Sequence, residues 1–169
     1  MYVKQNPVIL IGPGHSIPSG TSFTRELWIE VVVTDAAGNV FYTSGLPAAN
    51  GDLPDLDLDP DLTLYSATLY DAAGDRTFFT WRAVDIDESH LHQAGEASEP
   101  QYKIHVPLSA VGPLTLDTRL RLRAMPPALL RELGLDDILP LAIHTIWEQS
   151  DTIAVVPIEG EEERASPTD

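Results

Sequence analysis

The residues with the most chemistry in them are a crowded set of aspartates and five histidines. Asn50, Asp52, Asp55, Asp57, Asp59 and Asp61 share one loop. Hard cations take oxygen ligands, so Asp55, Asp57, Asp59 and Asp61 are candidate calcium ligands. The spacing does not follow the EF-hand rule. Counting from Asp57, Leu62 stands where that loop wants Gly and Thr68 where it wants the bidentate Glu. The set reads either as a different calcium site or as a solvated acidic loop. His90 and His92 lie two apart, a spacing that puts both on one face of a strand and could hold a metal. The flanking Glu88, Gln93 and Gly95 read instead as a polar loop. His105 falls on the exposed face of an alternating strand. His144 lies in an apolar one, as expected of a hydrogen-bonded core imidazole. His15 stands between Pro13 and Pro18 in a Gly- and Pro-rich loop, Gly12 to Gly20. Such stiffening lowers the entropy lost when one side chain is held for binding.

A second constellation is basic. Arg119, Arg121 and Arg123 recur on one strand face in a chain with ten basic residues against 26 acidic ones. They suit either acids on a neighbouring strand or carboxylates on a partner. Enzyme signatures are missing. The serines lack a nucleophile-elbow pattern, and no glycine loop of phosphate-binding form follows a strand into a helix. The absence of cysteine excludes disulfides, thiolate metal sites and cysteine nucleophiles. The chain therefore reads as a binding or assembly protein, not an enzyme. Its formal charge of −16 repels phosphate backbones and argues against nucleic-acid binding. No apolar stretch approaches the roughly 20 residues that span a bilayer, so no membrane insertion is expected. Met1 to Pro7 lacks the basic and apolar regions of a signal peptide, so export is not legible there.

The elements that must position these residues are strands. Period-two alternation is clearest over Pro113–Arg123, with Leu114, Leu116, Leu120 and Leu122 inward and Asp117, Arg119, Arg121 and Arg123 outward. Gln101–Val106 repeats it, and Glu26–Thr34 is apolar enough for a central strand packed on both sides. Further strands are expected at Val8–Ile11, Val40–Thr43, Leu64–Tyr70, Thr77–Asp85 and Leu141–Val156, the last with a bend near Gln149–Asp151. Asp35-Ala36-Ala37-Gly38-Asn39 and Asp71-Ala72-Ala73-Gly74-Asp75 are near copies, each read as a hairpin turn opened by Asp and closed by Gly. Pro127, the leucines at 129, 130 and 133, and Gly134 predict one short helix. Ala48–Asp61 is a loop. The whole predicts an all-β, immunoglobulin-like antiparallel sandwich with one short helix over residues 1–158, followed by an acidic, disordered tail over 159–169.

Taken in order, several segments resemble the haem-free β-sandwich that follows the haem-binding region in many bacterial multihaem c-type cytochromes. They are Gly14-His15-Ser16-Ile17-Pro18-Ser19-Gly20, Arg25-Glu26-Leu27-Trp28-Ile29-Glu30-Val31, the Asp-Ala-Ala-Gly turn, and Leu58-Asp59-Pro60-Asp61. After these come Gly95-Glu96-Ala97-Ser98-Glu99, and Arg121-Leu122-Arg123 running into Pro127-Ala128-Leu129-Leu130-Arg131-Glu132-Leu133. The match spans roughly residues 8 to 156. The resemblance implies that His15 is suited to be a distal haem ligand and that the protein works in the periplasm or outside the cell. Without cysteine, this chain cannot carry a covalent c-type haem. The resemblance therefore implies an accessory or scaffold subunit of a multihaem electron-transfer assembly, with His15 ligating a partner's haem in trans. On that reading Arg119, Arg121 and Arg123 could meet haem propionates. The alternative is an extracellular adhesion or glycan-binding module, since sandwiches serve both uses.

Overall fold

Strand β3, Glu26–Thr34, is the centre of the molecule. Its odd-numbered apolar residues Leu27, Ile29, Val31 and Val33 are buried, and so are Glu26, Trp28 and Glu30 on the other face. The computed structural model describes residues 2–5, 9–10 and 14–155, with side chains from 14 onward. The expected tail over 159–169 lies outside these residues.

On one side β3 pairs antiparallel with β11, Leu114–Arg123, which pairs in turn with the edge strand β12, His144–Ile153. On its other side it pairs with both β4, Val40–Ser44, and β5, Thr63–Tyr65. This five-stranded sheet forms one layer. Across its odd face lie Tyr102 and Ile104 of β10, Tyr102–His105, together with Val106. They join Leu114, Leu116 and Leu120 in the main core. β10 pairs with β1, Tyr2–Gln5. The remaining strands are β2 (Ile9–Leu10) with β9 (Ala97–Ser98), and β6 (Thr68–Asp71) between β7 (Arg76–Thr77) and β8 (Ala83–Asp87). The protein is an antiparallel β-sandwich with one short helix, α1, Pro127–Glu132.

The two copied turns share one hydrogen-bond pattern. Asp35 Oδ1 accepts from the Ala37 and Asn39 amides, and Asp71 Oδ1 accepts from those of Ala73 and Asp75. Gly38 and Gly74 both have φ of 85°. Asp caps the turn and Gly takes the left-handed position, as the sequence predicts. The bonds from Asn39 hold the Asp35 carboxyl below its ordinary range.

Several expected elements differ. Leu64–Tyr70 is not one strand, because the chain leaves the large sheet after Tyr65 and enters the small one at Thr68. The corner is held by buried Ser66, whose hydroxyl bonds the carbonyls of Ser22 and Ala67. Thr77–Asp85 is broken by a turn in which the amides of Arg82 and Ala83 both reach the Phe79 carbonyl. Pairing with β10 orders Tyr2–Gln5, where no strand was expected. In β12 the irregularity falls at Ile146, not at Gln149–Asp151: Leu120 faces Trp147 and Arg121 faces Thr145, leaving Ile146 as the extra residue. His144, expected in the core, is exposed because β12 is an edge strand.

The even face of β3 is closed by backbone. Trp28 Nε1 donates to the Gly45 carbonyl at 2.8 Å, and Gly45 itself has φ of 71°. A Cβ on Gly45 would lie 2.3 Å from the Ile29 carbonyl oxygen, whereas one on Gly38 would meet nothing within 4 Å. Gly38→Ala should therefore cost about 1 kcal/mol, the left-handed penalty alone. Gly45→Ala should cost roughly 3 kcal/mol or more, because the strand and loop must also part. Equal losses in chemical denaturation would contradict this packing.

Candidate functional site

The arginine stripe is consumed within the fold. Register places Arg119 opposite Glu30 on one side and Glu148 on the other, and its nitrogens lie 2.8 Å and 3.7 Å from those carboxylates. Arg121 Nε stands 3.5 Å from Glu30, and its Nη1 donates to Thr145. Arg123 was expected on an exposed face, yet it is 2% exposed. It donates to Glu26 and to the Gly51 carbonyl, and lies 5.6 Å from the centre of the Trp28 ring. Alternation misplaced it because the 45–52 loop covers this end of the sheet. That loop is tied to α1 by the Arg131–Asp52 ion pair.

The aspartate loop is also engaged by its own chain. Asp55 caps the amides of Asp57 and Leu58. Asp59 accepts from the Ser44 hydroxyl and from the Gly45 amide at 2.7 Å. Asp61 accepts from the Tyr42 hydroxyl at 2.7 Å, and burial together with that bond raises the phenol's pKa. Asp57 is exposed. Asp55, Asp59 and Asp61 serve separate donors, and among the described residues no group of three or more His, Cys, Asp or Glu side chains converges as a metal site would require.

The loops that carry His15 and His92 meet through the backbone. Ile17 and His92 exchange two amide–carbonyl bonds, 2.9 and 3.0 Å, and the Ser16 hydroxyl donates to Gln93. At the loop's far end Arg25 donates to the Ser19 carbonyl at 2.8 Å. His92 is buried against Tyr65, their rings 5.7 Å apart, while His15 is exposed. His15 Nδ1 lies 3.0 Å from the Ser16 carbonyl oxygen. A carbonyl can only accept, so Nδ1 carries the hydrogen and the lone pair of the neutral ring sits on Nε2. His92 and His90 also line an open cleft of about 800 Å³ that reaches Asp55, Asp57, Tyr70 and Arg76. His90 and His92 thus lie in a polar loop rather than in a strand.

One feature is absent from the candidate residues above. Arg82 lies 4.9 Å from the Phe79 ring centre, and Phe79 stacks on Trp81 at 4.8 Å with 27° between planes. Trp81 is 76% exposed. The signal was in the sequence as Arg76-Thr77-Phe78-Phe79-Thr80-Trp81-Arg82, but reading it as strand hid the turn that brings the rings together.

In comparisons with known proteins, no family model and no curated protein matches the sequence. Among solved structures, the fold is similar to that of a penta-heme cytochrome c552 from Thermochromatium tepidum, with a TM-score of 0.63 and 20% identity. The likeness covers 90% of this chain and 39% of that one. At this identity it is a likeness of fold. The chain spans well under half the length of the protein it matches.

The buried pair Glu26–Arg123 generates a pH prediction. Desolvation raises the Glu26 pKa above its ordinary 4.5 against the opposing pull of Arg123. A raised folded-state value favours the protonated form in the fold. Its stabilising contribution is therefore complete below 4.5 and is lost as pH rises through the raised value. Glu26→Gln should flatten that part of the stability profile. Arg123→Met should cost about 3–5 kcal/mol at neutral pH by leaving a buried carboxylate unpaired. Thermal melts between pH 4 and 8 check both, and a profile unchanged by Glu26→Gln would refute the assignment.

Proposed function

We propose that this chain is a non-catalytic accessory or scaffold subunit of an extracytoplasmic multihaem cytochrome assembly, and that it presents His15 to the iron of a haem held by another chain. The observation that carries the proposal is His15 itself: an exposed imidazole on a loop braced just after it at Ser16, Ile17 and Ser19, whose Nδ1 bond leaves the Nε2 lone pair for a metal. The fold likeness to a pentahaem cytochrome supports the choice of metal centre. It also fits a haem-free β domain, since this chain accounts for 39% of that longer one.

The donor set fits one axial ligand and not a covalently attached c-type haem, because the sequence has no cysteine for thioether attachment. A bound haem would supply the redox chemistry. This chain would contribute ligand identity, which tunes a reduction potential, and a rigid surface on which to dock. The acidic surface suits assembly with a basic partner.

Reconstitution with a multihaem c-type cytochrome tests the proposal. His15→Ala should leave the thermal stability of this chain nearly unchanged while shifting the visible spectrum and the potential of one haem in the complex. A structural role for His15 predicts the reverse, a loss on the order of 1 kcal/mol in stability with every haem potential preserved.

A further inference from the structure

Seven arginines lie among the residues with described side chains, and their partners divide them sharply. Arg119, Arg121, Arg123 and Arg131 meet carboxylates of their own chain, and Arg25 holds a carbonyl. Only Arg76 and Arg82 meet aromatic rings instead, Phe78 at 5.4 Å and Phe79 at 4.9 Å, with no carboxylate bound among the described residues. Arg82 and Trp81 both meet the ring of half-buried Phe79, and both are exposed to solvent. Just beyond the turn, the edge strand β8 carries Val84 and Ile86, 69% and 46% exposed and alternating onto one strand face. A preassembled Trp–Phe–Arg stack beside exposed aliphatic residues has the composition of an interface hot spot.

We propose that the Arg82–Phe79–Trp81 stack is the docking surface for the exposed, propionate-bearing edge of a partner chain's haem. This rests on the assembly proposed above and gives it a propionate contact whose arginine is not already paired with a carboxylate, as those of the 119–123 stripe are. Charge complementarity selects the occupant. In a chain of formal charge −16, a guanidinium without a carboxylate partner is the place where an incoming carboxylate is welcome. The flat apolar ring that bears such carboxylates can stack on an exposed indole. A nucleic acid would offer flat rings too, but it brings a phosphate with every nucleotide where the haem edge brings two carboxylates, so the repulsion of an acidic chain falls harder on it. A glycan stacked on Trp81 would leave the exposed apolar side chains of Val84 and Ile86 unused, and the oligosaccharide arm of the test below addresses that occupant directly.

The probe is a short haem-c peptide cut from a cytochrome, which keeps the ring edge and both propionates, titrated into the full chain. Tryptophan quenching reads affinity and the Soret band reads ligation. Trp81→Ala and Arg82→Gln should each weaken affinity about tenfold while leaving the melting temperature unchanged. Esterifying the propionates should weaken binding to the wild type but not to Arg82→Gln. The His15→Ala variant should lose the Soret shift and keep the affinity that depends on Trp81. If the wild-type chain binds the peptide and neither Trp81→Ala nor Arg82→Gln alters its affinity, this surface is not the contact, while ligation by His15 stands or falls on the Soret shift alone. Loss of oligosaccharide retention in Trp81→Ala, with haem-peptide affinity intact, would overturn the proposal in favour of a glycan surface.

Discussion

The burial of β3 on both faces is the constraint from which the rest of the architecture follows. Its odd face asks only for hydrocarbon, and the residues of β10 and β11 provide it. Its even face carries two glutamates and a tryptophan, each with a polar group that must be satisfied out of water. Arg123 and Arg119 reach Glu26 and Glu30 from the adjacent strand, and the Gly45 carbonyl reaches the indole. Because these partners come from both β11 and the 45–52 loop, the polar face locks strand order and loop path together. An all-apolar face would bury as well, but it would specify the register less strongly.

The same economy extends outward from β3. Asp59 binds the Gly45 amide, so the acidic loop is fastened to the glycine that caps Trp28. Asp61 fastens it again through Tyr42. Carboxylates that would be calcium ligands on composition alone are thereby spent on the chain's own donors. The His15 loop, the cleft lined by His90 and His92, and the aromatic turn at Phe79–Arg82 stand outside these pairings.

Much of this was legible residue by residue. Alternation located β11 to within a residue and a continuous apolar run located β3, since both patterns are local properties of a pleated strand with one dry face or two. The Asp-Ala-Ala-Gly turns were equally legible, because both the capping oxygen and the left-handed glycine act within five residues. The helix at Pro127 and its terminal Gly134, at φ of 69°, follow from the same short-range chemistry. Composition excluded covalent c-type haem, as no fold can supply a missing thiol.

Other features were decided only when distant segments met. Arg123 looked solvated because alternation knows the two faces of a strand but not what covers each, and the covering loop lies 72 residues away. His144 looked buried because its neighbours are apolar, yet β12 is exposed along most of its length and, among the described residues, no strand pairs with its outer edge. Leu64–Tyr70 looked like one strand because a corner between two sheets need not interrupt an apolar run. His15 was visible as a candidate, but the bond to Ser16 that sets its tautomer and the pairing of Ile17 with His92 belong to the folded loop. The sequence alone determined the local periods, the turns and the absence of thiols, all of which are set by near neighbours. The tertiary structure decided which charges are buried and which remain for a partner, because burial depends on residues far apart in the chain.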